Sequence, residues 1–129
     1  MTKNFARNET GATVVEMAFA LPVLILFLYG IIQIGMIMAA VAGMQHALGE
    51  GARQATLYPT PADTVIKQRM DAVKFGEYLA PITTDLPTTD PTGKSYKDLA
   101  VHYTVTPNFL FFSAPSITID RTKRVYLSF

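Results

Sequence analysis

The chain has 129 residues, half of them hydrophobic, with 11 basic and 10 acidic side chains and a formal net charge of +1. This length fits one small domain, and the lack of cysteine excludes a disulfide framework, a thiolate metal site and a cysteine nucleophile. The near balance of charge disfavours a nucleic-acid partner, because proteins that bind nucleic acid carry a strong excess of Lys and Arg.

The charges are unevenly placed, since none of them lies in the 33 residues from Met17 to Gly49. About 20 apolar residues suffice to cross a bilayer, and a helix of this length would extend about 50 Å. We therefore predict a transmembrane helix whose C-terminal part projects as a stalk. The apolar region of a cleaved signal peptide would be only about 7 to 15 residues long. Lys3 and Arg7 before the helix, against Arg53 after it, predict a cytoplasmic N-terminus.

Glu16 is the one carboxylate in the small-residue and apolar segment that begins at Gly11. A charge at bilayer depth costs a few kcal/mol unless it is paired or neutralised. Cleavage after Gly11 would give Ala12 a free α-amine, four residues before Glu16 on the same helix face or within reach of a neighbouring subunit's Glu16. Stabilisation of Glu16 by the helix dipole is compatible with this reading. Gly11 and Ala12 form a candidate processing site, and Glu16 is the candidate residue for subunit pairing or recruitment.

This arrangement resembles the prepilins of type IV filament systems, and more narrowly the TadE-like minor pilins or pseudopilins of tight-adherence (Tad/Flp) pili. Met17 departs from the family pattern, in which an aromatic residue commonly follows the glutamate. The residues that carry the resemblance are Gly11 to Pro22, Gly30-Ile31-Ile32-Gln33-Ile34-Gly35 and His46-Ala47-Leu48-Gly49-Glu50-Gly51-Ala52-Arg53.

The resemblance implies cleavage between Gly11 and Ala12 by a prepilin peptidase. It also implies a single-pass protein of the bacterial inner membrane with a periplasmic or extracellular C-terminal domain, taking part in the assembly, initiation or tip of pili used in surface adherence. The implied partners are other pilin or minor pilin subunits, the inner-membrane pilus assembly platform and membrane lipid. Whether the protein enters the filament, caps it or acts only in assembly stays open. The alternative is an uncleaved, membrane-anchored binding module exposed outside the inner membrane.

Two features of the apolar run concern its packing. Pro22 removes one backbone donor and crowds the carbonyl of Ala18, which predicts a helix kink. Small residues recur every four positions further along and permit close packing, either against other subunits or against the protein's own globular part. This small-residue stripe consists of Gly35, Ala39, Gly43, Ala47 and Gly51.

The exported part begins where Tyr58-Pro59 and Pro61 end the first helix. Asp63 offers an N-cap for a second, amphipathic helix over about 63–79. The Pro- and Thr-rich stretch over 81–95 predicts a loop.

A period of two then predicts one strand from Leu99 to about 106, with Val101, Tyr103 and Val105 on its buried face, and another over about 117–127. Two strands alone would be marginal, so a third strand or a helical cover is required. Phe109, Phe111 and Phe112 between them form a candidate docking loop, which is either an exposed docking or membrane-contacting surface or a buried connection.

No catalytic, cofactor-binding or metal-binding motif accompanies His46 or His102, the two imidazoles of the chain, so the sequence does not predict an enzyme. We predict an α+β protein of the type IV pilin kind. Its parts are a cleavable basic leader over 1–11, a transmembrane and stalk helix over 12–57, and a small exported domain over 58–129 with one further helix and a short antiparallel β-sheet.

Overall fold

A computed structural model describes residues 9–92, 96–109 and 111–127, so that Lys3 and Arg7 of the predicted leader lie outside the described residues. The elements within these ranges, in chain order, are two helices, α1 and α2, and six strands, β1 to β6. Their bounds are α1 Glu9–Ala55, α2 Asp63–Val73, β1 Ile82–Thr84, β2 Thr88–Thr89, β3 Tyr96–Val105, β4 Asn108–Phe109, β5 Phe112–Ser113 and β6 Ile117–Tyr126. The predicted α+β architecture with a long N-terminal apolar helix is confirmed.

Helix α1 has 47 residues and continues through Pro22. At 1.5 Å per residue it is about 70 Å long, more than twice the thickness of a bilayer's hydrocarbon core. Its two parts have different surroundings, since residues 11–32 are exposed or half-exposed whereas the C-terminal part is packed under the domain. The buried side chains of that C-terminal part are Gln33, Ile37, Ala40, Met44, Ala47, Leu48 and Ala55.

Helix α2 is shorter than predicted and is capped differently. Ala62 occupies its N-cap position and makes no side-chain cap hydrogen bond, so the predicted cap at Asp63 is wrong. The Asp63 carboxylate instead accepts a hydrogen bond from the ammonium of Lys97, a buried residue on β3. The predicted continuation to residue 79 is also wrong, because the backbone becomes extended at Lys74.

The early end of α2 lets the following segment cross α1 at very close range. A Cβ atom at Gly43 would lie 1.9 Å from the carbonyl oxygen of Phe75. On the other side of the crossing, Gly76 has a φ of 84°, and a Cβ there would lie 2.5 Å from the backbone of Ala39. A helical continuation would project side chains into this space, whereas an extended segment with one left-handed glycine fits it.

The central strand of the antiparallel sheet is β3. It pairs along its whole length with β6, from Tyr96 opposite Tyr126 to Val105 opposite Ile117. On its other side β3 pairs with β1 and then with β2. Strands β4 and β5 form a separate two-stranded hairpin.

Strands β1 and β2 correct the predicted loop over 81–95. Ile82 and Thr84 are buried and flank an exposed Thr83, which is the alternation of a strand with one covered face. The Pro- and Thr-rich composition of the stretch conceals this short signal. These strands add to the helical cover and supply the third strand position that the two predicted strands required.

The core lies between one face of the sheet and the two helices. On β3 the predicted alternation is confirmed, since Leu99, Val101 and Tyr103 are fully buried and Val105 nearly so. Met44 and Leu48 of α1 and Ile66 and Met70 of α2 face them in the same apolar cluster. Burial of these side chains supplies the main driving force for docking the sheet on α1.

Polar side chains from α2 and the segment after it bind the free edge of β1. Lys67 Nζ donates to the carbonyl oxygen of Thr84 at 2.7 Å, and Lys74 Nζ donates to that of Ile82 at 2.5 Å. The backbone N–H of Ile82 donates to Glu77 Oε1 at 2.6 Å. These contacts satisfy backbone groups that a bare edge strand would leave open to another chain.

On the outer face of the sheet, His102 lies between two carboxylates. Its Nδ1 is 2.7 Å from Asp120 Oδ1, and its Nε2 is 2.9 Å from Asp85 Oδ2. Only the protonated imidazole can donate from both nitrogens at once. The hydrogen bonds that the imidazole donates to Asp120 and then to Asp85 accordingly raise the pKa of His102 above its usual 6.5.

We expect Gly43→Ala to lower the free energy of unfolding of the domain that follows α1 by about 1–3 kcal/mol, because the new methyl group overlaps the backbone of Phe75. Gly49→Ala is the matched control, since a Cβ there meets nothing within 4 Å. In the helix interior that substitution should stabilise by about 0.5–1 kcal/mol. Urea unfolding of the detergent-solubilised protein measures both, and equal effects would contradict the crossing at Gly43.

We expect the stability of the domain to fall as pH rises from about 6.5 through the raised pKa of His102. A group whose folded pKa is raised stabilises fully below its unfolded pKa and loses that contribution as it deprotonates in the folded state. Because the three side chains are largely exposed, the change should be below about 1 kcal/mol. Urea unfolding at a series of pH values measures it, and His102→Gln should remove this part of the slope.

Candidate processing and membrane-contact site

The predicted processing site lies at the start of α1. The helix begins at Glu9, so the Gly11–Ala12 peptide bond falls within its first turns, where helices fray most readily. Both residues are exposed, and a Cβ atom at Gly11 would meet nothing within 4 Å. Packing among the described residues therefore gives no reason for glycine at this position.

Glu16 is exposed on the same bare part of α1. Among the described residues it forms no ion pair, and it lies one helical turn beyond Ala12, with which it shares a face. A shallow apolar concavity runs from it along the helix. The residues that line this concavity are Glu16, Phe19, Ala20, Val23, Leu24 and Phe27.

Pro22 lies beside the concavity. The helix is continuous there, as it must be if the apolar run is to cross a bilayer with its backbone groups satisfied. The bend that Pro22 predicts stays a prediction.

The bare part of α1 has the length and composition of a membrane span. Residues 11–32 extend about 33 Å, close to the roughly 30 Å of a hydrocarbon core. Their large apolar side chains are open, with exposed fractions of 74% at Phe19, 66% at Val23 and 65% at Phe27. The long apolar helix of which they are part fits a single-pass membrane anchor.

The small-residue stripe lies mostly under the protein's own domain. Phe75 backbone occupies the space beside Gly43, the Met70 side chain lies where a Cβ of Gly51 would be, and Ala47 is fully buried. Ala39 faces the backbone at Gly76, so that Gly35, with nothing within 4 Å of its Cβ position, is the open member. The sequence left open whether this stripe packs against other subunits or against the protein's own domain. The structure shows packing against the domain at the last four positions, from Ala39 to Gly51.

The candidate docking loop that contains Phe109, Phe111 and Phe112 forms the β4–β5 hairpin beside α1. Phe109 is half-buried, whereas Phe111 and Phe112 are 78% and 60% exposed. Gln33, buried within α1, holds the hairpin through its side-chain amide. Sequence reasoning missed this role, although Gln33 stands out as an amide inside an apolar run.

The basic side chains of β6, Arg121, Lys123 and Arg124, are divided between the two faces of the sheet. Arg124 donates to both carboxylate oxygens of Asp98 at 2.8 Å and lies 4.0 Å above the Tyr96 ring. These hydrogen bonds lower the pKa of Asp98. Arg121 and Lys123 are paired across the ladder with Val101 and Leu99, so they lie on the side of the sheet that carries the core, and both are exposed there.

The two imidazoles each have neighbours of a different kind. His46 lies on α1 with its ring 5.8 Å from that of Phe75, and both nitrogens of His102 face carboxylates. Within the described ranges, no group of three or more His, Asp or Glu side chains could hold a metal ion.

Comparison with known proteins gives one family. The family model described as TadE-like protein matches residues 11–53, which lie entirely within α1. Neither a curated protein nor a solved structure matches the chain significantly. The match begins at Gly11 and includes Glu16 and the whole small-residue stripe. Helix α2 and the sheet lie beyond it. The chain is thus TadE-like over residues 11–53, consistent with a TadE-like protein of the Tad pilus system.

Proposed function

We propose that the chain is a minor pilin, or pseudopilin, of a Tad/Flp type IV pilus. A prepilin peptidase cuts it between Gly11 and Ala12, and the mature protein takes part in pilus assembly from the inner membrane. Its N-terminus lies on the cytoplasmic side and the domain that follows α1 on the periplasmic or extracellular side. The chain contributes structure to the pilus system and no catalysis of its own.

The observation that carries this proposal is that glycine at position 11 is not required by the fold, although the TadE-like match begins there. A Gly in a helix costs about 1 kcal/mol relative to Ala. A processing enzyme that needs a small residue and a locally extended backbone at the cut supplies a reason for that cost. The position of the bond near the frayed helix start supports the same reading.

Glu16 supports the second half of the proposal. It lies at the end of an apolar concavity on the part of α1 that the domain leaves bare. The α-amine created at Ala12 would supply the opposite charge that a carboxylate near the membrane needs. The bare helix would then offer apolar packing and one charged contact to other pilin subunits or to the assembly platform.

We expect Gly11→Leu to block processing in cells that contain the peptidase, because the larger side chain would hinder entry of this bond into a protease site. Intact mass of the purified membrane protein measures the loss or retention of residues 1–11. Gly35→Leu is the control, since the Cβ position of Gly35 on the same helix is equally open. Full-length protein from unmodified cells would contradict the proposal and favour the uncleaved binding module.

We expect Glu16→Gln to leave processing intact and to reduce the amount of protein that co-purifies with the assembly platform or sheared pili by at least tenfold. A neutral amide enters the membrane more easily than a carboxylate, so failure to insert would not explain the loss. A tenfold change corresponds to about 1.4 kcal/mol of pairing. Immunoblots of membrane and pilus fractions measure it, and Glu16→Asp, which keeps the charge, should restore part of the signal. Unchanged co-purification of Glu16→Gln would remove Glu16 from the mechanism.

A further inference from the structure

The β4–β5 hairpin is fixed at one position along α1. Gln33 Nε2 donates to the carbonyl oxygen of Asn108 at 2.5 Å, and the backbone N–H of Asn108 donates to Gln33 Oε1 at 3.2 Å. Gln33 is 3% exposed and Asn108 is exposed, so both hydrogen bonds are partly buried. A pair of bonds between one amide side chain and both backbone polar groups of one residue resists both sliding and rotation of the hairpin against the helix.

The aromatic side chains divide between this support and the outside. Phe109 packs on α1 at Gly30, where a Cβ atom would approach its Cε1 to 3.3 Å. Phe112 stacks on Phe109 with ring centres 4.9 Å apart, yet it remains 60% exposed. Phe111, at the turn, is 78% exposed. The hairpin therefore holds two phenyl rings outward on a supported base.

The sequence around the hairpin suits an apolar environment. Residues 99–119 contain no Asp, Glu, Lys or Arg, and the β4–β5 hairpin lies near the middle of that interval. An exposed phenyl ring gains from leaving water, and aromatic and apolar residues in a segment without Asp, Glu, Lys or Arg favour the boundary of a bilayer.

The hairpin contacts α1 at the level where the proposed membrane span ends. Residues 11–32 of α1 are bare over about 33 Å, against a hydrocarbon core of about 30 Å. Gly30 and Gln33, the two residues that support the hairpin, lie at the end of this bare stretch. The exposed rings of the hairpin thus continue the apolar surface of α1 sideways at the level where the helix leaves the membrane.

We propose that the β4–β5 hairpin inserts Phe111 and Phe112 into the outer leaflet of the membrane beside α1, at a depth set by the bonds between Gln33 and Asn108. The domain then has a second contact with lipid and a defined orientation over the membrane before it joins other subunits. This inference rests on the proposed membrane anchoring of α1, and its test separates the two.

The test uses the lack of tryptophan in the chain. Phe111→Trp places the single indole at an exposed position, so that the fold should tolerate it. The full-length protein is reconstituted into phosphatidylcholine and phosphatidylglycerol vesicles with and without lipids brominated along the acyl chain. We expect the brominated lipids to reduce the emission of this variant at least twofold and its emission maximum to lie at a shorter wavelength than in water.

Two matched single-tryptophan variants give the references. Tyr58→Trp lies beyond the end of α1 at a side chain that is 94% exposed, and its emission should not change with brominated lipids. Leu24→Trp, in the bare part of α1, should be strongly quenched. If Leu24→Trp is quenched and Phe111→Trp is not, the hairpin proposal is overturned while the anchor stands. If neither is quenched, the anchor fails and the hairpin proposal fails with it.

Two further outcomes address the partner and the depth. Emission of Phe111→Trp at a shorter wavelength without quenching by brominated lipid would show that a second copy of the chain covers the hairpin, which overturns the lipid contact. Gln33→Met in the Phe111→Trp background replaces the amide with an apolar side chain of similar length and so removes both hydrogen bonds. Quenching should then fall by at least half, and unchanged quenching would overturn the role of Gln33 in setting the depth.

Discussion

The close crossing of α1 by the segment that follows α2 is the contact on which the arrangement of the domain depends. Gly43 and Gly76 let two backbones approach to distances that no side chain would permit. Because the segment passes over α1 there, α2 must end at Val73 and the chain must turn back toward β1. The sheet is consequently placed over α1 above Gln33 and not elsewhere along its length.

This placement divides one long apolar helix into two parts with different surroundings. The part that is C-terminal to Gln33 packs one face against the core, where Met44 and Leu48 contact the buried side of β3. The part below has no cover within the described chain, and its apolar side chains must find lipid or other helices. A helix about 70 Å long can serve both uses because a bilayer accounts for less than half of it.

The polar contacts of the domain mainly hold the edge of the sheet and the start of α2 in place, and they contribute little to the driving force for folding. Lys67, Lys74 and Glu77 bind the backbone of β1, and Asp63 pairs with Lys97 at the start of α2. Exposed ion pairs contribute little each, but those that satisfy backbone groups prevent β1 from offering its edge to another chain. Strand β6 bears its charges Arg121 and Lys123 on the side of the sheet that carries the core, which also discourages edge pairing.

For the proposed function, the geometry separates processing from folding. Gly11 and Glu16 lie on the bare part of α1, about 26 Å below Gln33 at the level of Glu16, so changes at either residue should leave the domain intact. The part of α1 that matches the TadE-like family includes both the bare stretch and the surface on which the domain packs. The family pattern in α1 thus combines a feature for membrane function with a feature for folding.

The sequence by itself determined the long apolar helix, the alternation on β3 and the candidate residues Gly11 and Glu16, because each depends on composition or on spacing within one element. It did not determine the end of α2 or the short strands β1 and β2, since these depend on backbone contacts between segments distant in sequence. Only the tertiary structure decided that Gly43, Ala47 and Gly51 pack under the domain, and that Gln33 holds the Phe111 hairpin outward at the end of the bare helix. A stripe of small residues permits close approach without naming a partner, and the partner becomes known only when the chain folds back on itself.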